Sequence, residues 1–180
     1  MTEKVVSHPQ GMWIALGALL SVTFVLMLNF PHNSFWYDEA LTTYVATESW
    51  ETLWRWCIEV DIQVPFHYIA LRVWSAAAGE SEFALRLLSA FATLLTAAAA
   101  INIGKRLGRQ FSASLGVVCG VLLTLSLGTL WIAYEVRAYA FALMLFTWAT
   151  AFLLAALARP TVWRTIGYAA LMAAALYTHY

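Results

Sequence analysis

Residues 138–158 read AYAFALMLFTWATAFLLAALA, a run without one charged side chain. A helix rises about 1.5 Å per residue and a bilayer core is about 30 Å thick, so roughly 20 apolar residues cross it. Backbone groups in lipid must satisfy one another, which makes such a run a helix. Ala and Leu, its commonest residues, are strong helix formers. Working outward, the same arithmetic gives five candidate spans, at about 11–30, 84–104, 112–133, 138–158 and 165–180, the last cut short where the chain stops. The first is too long for a secretory signal core of roughly 7–15 residues, and no A-x-A-like site follows it, so it reads as a retained span. The expected fold class is all-α: a polytopic transmembrane helical bundle, with amphipathic interfacial helices in a long first outer loop, 31–82.

Composition agrees with that reading. The 180 residues are 62% hydrophobic and 11% charged, with a mean hydropathy of +0.72. Soluble domains average about 45–50% apolar and about 25% charged residues. A disordered chain, a nucleic-acid binder and a small disulfide scaffold are excluded, and a soluble domain is disfavoured. Two cysteines, Cys57 and Cys119, are too few for a disulfide framework. Ten basic and ten acidic residues cancel, but they are not mixed along the chain. With the N-terminus in the cytoplasm, Lys4, Lys105, Arg106, Arg109, Arg159 and Arg164 lie inside. Nine of the ten acids, all but Glu3, then lie outside. The positive-inside rule favours this orientation. The expected location is therefore a plasma membrane, crossed several times, with a cytoplasmic N-terminus.

The outer loop holds eight of the ten acids and only Arg55 and Arg72 as bases. Trp50, Leu53, Trp54, Cys57 and Ile58 recur at i, i+3, i+4, i+7, i+8, which predicts an amphipathic helix lying in the membrane interface. Pro65 suits the first turn of a second helix whose apolar stripe is Phe66, Ile69, Ala70, Val73, Trp74 and Ala77, with Gly79 as its stop.

Polar residues near the bilayer are the candidates for chemistry. Asp38 and Glu39 follow Phe35-Trp36-Tyr37 just outside the first span. Adjacent side chains on a helix diverge by about 100°, so only one carboxylate need face a substrate as a general base. The plainer alternative is two acids favoured by the macrodipole at a helix start. Glu135 and Arg137 sit between the third and fourth spans, where charge is costly and marks function or pairing. At i, i+2 they do not face each other, so each needs another partner. Arg86 opens the second span and is a fixed phosphate donor or a snorkelling cation. His179 falls near the end of the fifth span, as a site residue or a packing histidine. Asp61 and His67 bracket Pro65 without a third metal ligand. No phosphate-binding glycine loop and no serine elbow is present, so a transferase here would need a lipid-delivered donor.

Ser34-Phe35-Trp36-Tyr37-Asp38-Glu39-Ala40-Leu41-Thr42 resembles the first-loop acidic motif of the dolichyl-phosphate-mannose protein mannosyltransferase family, which are GT-C glycosyltransferases. The block from Asp61 through Pro65-Phe66-His67-Tyr68 to Gly79-Glu80-Ser81-Glu82-Phe83-Ala84-Leu85-Arg86-Leu87 resembles the next one. Tyr134-Glu135-Val136-Arg137-Ala138-Tyr139 resembles the acidic motif of the second outer loop, and Tyr177-Thr178-His179-Tyr180 a later span. The chain departs from the family pattern at Val64, where a second proline is common, and at Ala133-Tyr134, where Ser-Gln is. The resemblance implies an inverting transfer of a sugar from a polyprenyl-phosphate carrier to an acceptor hydroxyl of a protein, glycan or lipid on the outer face. It implies Asp38 as catalytic base with Glu39 beside it, Glu135 as the second acidic position, and Arg137 and Arg86 on the carrier phosphate. Asp61, His67, Tyr139 and His179 complete the expected substrate-binding set. A divalent metal is possible, with no metal site assigned. Family members carry more spans, so the resemblance also implies that residues 1–180 form the N-terminal part of a larger membrane domain. Two alternatives remain, a non-enzymatic membrane subunit or inactive truncated remnant, and a transporter with charges lining its path.

Overall fold

A computed structural model of the chain describes residues 34–60, 64–107 and 115–179, together with Gly17, Ala18, Ser21, Val22, Phe24 and Val25 of the first apolar run. The described residues form helices and no strand. In chain order these are α1 (Tyr37–Thr47), α2 (Trp50–Arg55) continued by a π turn (Trp56–Val60), α3 (Phe66–Ala78), α4 (Glu82–Leu107), α5 (Leu115–Thr124), α6 (Leu127–Ala133), α7 (Ala138–Ala158) and α8 (Val162–Leu176).

Two of these, α4 with 26 residues and α7 with 21, are long and apolar enough to cross a membrane. At helical rise they reach about 39 and 31 Å. They run side by side in the same direction. Near one end the Ser89 hydroxyl donates to the Glu135 carbonyl at 2.6 Å; further along, the Trp148 indole N–H donates to the Leu95 carbonyl at 3.1 Å. α5 and α6 return antiparallel along α4, and α8 returns along α7. Small residues make these close approaches possible. Ala92, Thr93, Thr96 and Ala97 of α4 and Ala140, Ala149, Ala151 and Ala155 of α7 are buried. A Cβ on Gly116 would stand 2.7 Å from the Ile101 carbonyl oxygen, so α5 needs glycine there to lie on α4. Of the first run, the Phe24 ring stacks on Phe91 of α4 with centroids 6.4 Å apart; apart from Gly17, Ala18, Ser21, Val22 and Val25, which are helical, the rest of that expected span lies outside the described residues.

The start of α4 and the α6–α7 turn carry a second, smaller core. Val45, Ala46, Leu53, Cys57, Tyr68, Leu71, Leu85 and Val136 pack together there, so α1, α2 and α3 form a cap on one end of the long helices. Arg72 fastens it by donating to the carbonyls of Ala46 at 3.0 Å and Glu48 at 2.9 Å, which satisfies the C-terminal end of α1. Its guanidinium also lies over the Trp50 ring.

Four expectations need correction. The run 112–133 is two helices rather than one. The Ser126 hydroxyl accepts from the Thr129 N–H and donates to the Leu123 carbonyl, so it caps α6 instead of continuing α5. The segment 165–180 does not continue as helix to its end. α8 stops at Leu176, the Thr178 hydroxyl takes the Ala174 carbonyl at 2.7 Å, and the Tyr177 carbonyl accepts from Phe66 N–H at 3.1 Å. His179 therefore lies past the helix, not inside a span. The amphipathic helix beginning at Trp50 turns π after Arg55, so Leu53 and Cys57 are buried while Trp50, Trp54 and Ile58 remain exposed. On α3, His67, Tyr68, Leu71 and Ser75 face inward, and Phe66 and Val73 of the apolar stripe stay outside. Gly79, with φ of 90°, ends that helix as expected.

Large apolar side chains also cover the outside of the long helices. Leu122, Leu127, Trp131, Leu157, Val162, Trp163, Ile166 and Leu176 are all exposed. Surfaces of this size and character mark contact with a membrane or another protein.

Candidate functional site

The cap brings together residues that are far apart in the chain, and Glu39 is their hub. It sits in the first turn of α1, and its side chain is only 3% exposed. One carboxylate oxygen, Oε2, accepts from Arg86 Nη2 at 2.9 Å and from the Trp36 N–H at 3.4 Å. The other, Oε1, accepts from the Val136 N–H at 2.9 Å and from Arg86 Nε at 3.3 Å. A charge this deep is tolerable because it is paired and fully hydrogen-bonded. Arg86 also lies over the Phe35 ring and within 3.8 Å of Glu82. Its guanidinium is thus engaged with the carboxylates of Glu39 and Glu82.

Asp38, one residue earlier, points elsewhere, as the 100° divergence requires. Its carboxylate stands 3.7 Å from Arg137 Nη2 and is 37% exposed. Arg137 is the residue just before α7. Its Nη1 donates to the Thr42 hydroxyl at 3.3 Å and its Nη2 to the Tyr139 hydroxyl at 3.5 Å, with the guanidinium 5.6 Å from the Tyr139 ring. Burial works against this cation, but Tyr139, Asp38 and Tyr68 outweigh it and hold it more firmly charged than usual. The expected separate partners of Glu135 and Arg137 are present for Arg137 in Asp38.

Arg137 also lines a cavity of about 170 Å³. Its walls come from α1 (Thr42), α3 (His67, Tyr68), the start of α7 (Ala138, Tyr139) and the residues after α8 (Thr178, His179), with Val64 completing them. His67 and His179, separated by the whole bundle in sequence, thus face one space. The His179 and Tyr139 rings are 5.4 Å apart. His67 is fully enclosed; that burial, with the Arg137 charge adding, pushes its pKa down to about 4. It is a neutral imidazole at physiological pH, able to donate and to accept one hydrogen bond. Thr42, Tyr68 and Thr178 were not singled out by sequence. Thr42 was accessible in principle, four residues after Asp38 on the same helical face. Thr178 was hidden by reading its segment as a continuous span.

Glu135 is beside this group but differently placed. It is 6% exposed, and its Oε2 is buried with no hydrogen-bond partner. Burial and the Glu39 carboxylate push its carboxyl above the usual range, with Arg137 opposing and Asp38 adding. Two opposite pH signatures follow. A raised acid is stabilising only below its unfolded value near 4.5, and that contribution is lost as pH rises through the folded value. A depressed histidine contributes stability present above 6.5 and lost as pH falls toward about 4. Glu135→Gln is expected to raise the melting temperature at pH 7 and to make no difference below pH 4. His67→Gln is expected to flatten the loss of stability between pH 6.5 and 4. Thermal melts across that range check both, and a Glu135→Gln melt lower than wild type at pH 7 overturns the first.

Asp61 lies outside the described residues. Neither Cys57 nor Cys119 is in a disulfide. Among the described residues no three His, Cys, Asp or Glu side chains are grouped to hold a metal ion. No family model matches the chain, and no curated protein or solved structure resembles it significantly.

Proposed function

We propose that the chain is part of a polytopic membrane glycosyltransferase of the GT-C kind, with the capped end outside the cell. It moves a sugar from a polyprenyl-phosphate carrier to an acceptor hydroxyl. The observation that carries this reading is Arg137, which lines a polar cavity on one side and meets the half-exposed Asp38 carboxylate on the other. In this reading Arg137 is the phosphate seat and Asp38 the base beside it. The two membrane-length helices and their exposed apolar flanks support the lipid setting. The charge asymmetry supports an outer position for the carboxylates.

In this reading Arg137 presents its donors to the carrier phosphate, for which a permanently charged planar fork is suited. The phosphate competes with Asp38 for the guanidinium, so donor binding loosens the ion pair and frees the Asp38 carboxylate to face the acceptor. Asp38 then takes the proton of the acceptor hydroxyl. Its oxygen attacks carbon one of the sugar, the bond from that carbon to the phosphate oxygen breaks, and the phosphate leaves with the electron pair, its charge balanced by Arg137. A single displacement inverts carbon one. His67, held as a neutral imidazole, and the Tyr139 and His179 side chains offer hydrogen bonds to sugar hydroxyls. Glu39 and Arg86 position α1 against the α6–α7 turn rather than touching substrate.

Binding tests this directly. Titration of the detergent-solubilised chain with a polyprenyl phosphate is expected to quench tryptophan fluorescence saturably. Arg137→Gln is expected to weaken the effect about tenfold or more, the worth of a charge-assisted hydrogen bond, at unchanged helix content. Equal quenching by a polyprenyl alcohol would refute the phosphate seat.

A further inference from the structure

The opposite end of the long helices holds a second cavity, of about 200 Å³, which sugar transfer does not use. It is built where the last turns of α4, the second half of α7 and the first turn of α8 meet. Arg106 and Arg164 both line it, with Asn102, Trp148 and Phe152. Each arginine is fixed by part of its guanidinium. Arg164 Nη1 donates to the carbonyls of Arg159 at 2.6 Å and Ala155 at 3.1 Å, sealing the end of α7. Arg106 Nε donates to Asn102 Oδ1 at 2.7 Å. These bonds hold the planes in place and leave Nη2 and Nε of Arg164, and both terminal nitrogens of Arg106, for an oxygen ligand. Trp148 spends its indole N–H on Leu95, so it offers the cavity its apolar ring.

Among the described residues no acid stands at this end. Residues 83–134 and 136–180 contain no Asp or Glu, while Lys105, Arg106, Arg159 and Arg164 all fall at this end. The acid nearest Arg106 in its own helix is Glu82, about 36 Å away at helical rise. Snorkelling explains an arginine reaching water alone; it does not explain two that line one cavity, each braced by its own acceptors.

We infer that this cleft is a binding site for the phosphate of an anionic membrane phospholipid. The two arginines take the phosphate oxygens, and Trp148 and Phe152 face the glycerol and the start of the acyl chains. Basic pockets between helices at the headgroup level are suited to this chemistry. The assignment rests on the membrane reading and is independent of sugar transfer.

Native mass spectrometry of the detergent-purified chain tests it, with phosphatidylglycerol and phosphatidylcholine of identical acyl chains. Phosphatidylglycerol is expected to be retained preferentially. Arg106→Gln is expected to lower that retention about tenfold, and Arg164→Lys, which keeps the charge but loses the planar fork, to lower it less. Arg159→Gln, whose side chain does not line the cleft, is expected to leave it unchanged. Equal retention of the two lipids overturns the inference, as does wild-type retention by Arg106→Gln. Displacement of the lipid by inorganic phosphate at equal concentration would overturn the lipid assignment in favour of a free-anion site. A chain that stays in solution without detergent and binds neither lipid would instead defeat the membrane reading itself.

Discussion

Glu39→Ala is expected to unfasten the cap from the long helices. The substitution leaves the Arg86 guanidinium, 15% exposed, without its principal counter-ion, and leaves the buried Val136 N–H and the Trp36 N–H without acceptors. Removing one partner of a buried ion pair costs about 3–5 kcal/mol, a large share of the 5–15 kcal/mol by which proteins are typically stable. The damage should be local first. Residues 34–60 and 64–78 have few ties to α4 beyond this carboxylate, the Trp74 indole bond to the Ala84 carbonyl and the small shared core. Limited proteolysis is therefore expected to cut within 48–82 in Glu39→Ala while sparing 84–104 and 138–158. Glu39→Gln, which keeps the shape but loses the charge, should fall between. A variant as protease-resistant as wild type would mean that Arg86 and Val136 find other partners, and Glu39 would lose its place as the hub.

Asp38→Asn should do the reverse. The 3.7 Å pair with Arg137 is more than a third exposed on the Asp38 side, and such pairs are worth about 0–1 kcal/mol. Folding should be nearly unchanged. On the proposed glycosyltransferase reading, sugar transfer, measured with a labelled polyprenyl-phosphate sugar in membranes carrying the protein, should fall by about 10²–10⁴, the usual contribution of a positioned base. Because donor binding does not need the base, the loss should lie in turnover and not in affinity for the polyprenyl phosphate. Wild-type turnover by Asp38→Asn would remove the base assignment, and a stability loss as large as that of Glu39→Ala would recast Asp38 as structural. The two neighbours thus separate cleanly, one expected to fail in folding and the other in catalysis.

How much of this could be read from the chain depends on the scale of the signal. The charge-free run 138–158 became α7 with the same ends, because a long run of Ala and Leu bounded by Arg137 and Arg159 leaves little choice. The divergence of Asp38 and Glu39 was also legible, since it follows from helical geometry alone. Which of them turns inward was not. That depends on Arg86 and Val136, 47 and 97 residues away, meeting at one point. Hydropathy likewise could not see Ser126 splitting α5 from α6, since one hydroxyl among leucines barely changes a running average but rewires two backbone groups. The end of α8 was misread for a related reason. Ala and Leu in 165–176 are good helix formers, yet the Tyr177 carbonyl is claimed by Phe66 N–H, a partner no local pattern announces. For the same reason His67 and His179 seemed unrelated until the fold brought them to one cavity.

The Glu39 contacts also fix an order of events during biosynthesis. Residue 39 leaves the ribosome long before its last acceptor-seeking donor, the amide of residue 136, has been made. Loop closure over so long a stretch is slow compared with forming the helices themselves. The segment that carries Asp38 can meet Arg86 first, and stays half-fastened until the chain through α6 is in place. Its latch is complete only when translation has passed α6, so a ribosome stalled before codon 136 would display that segment more open to added protease than the finished chain does.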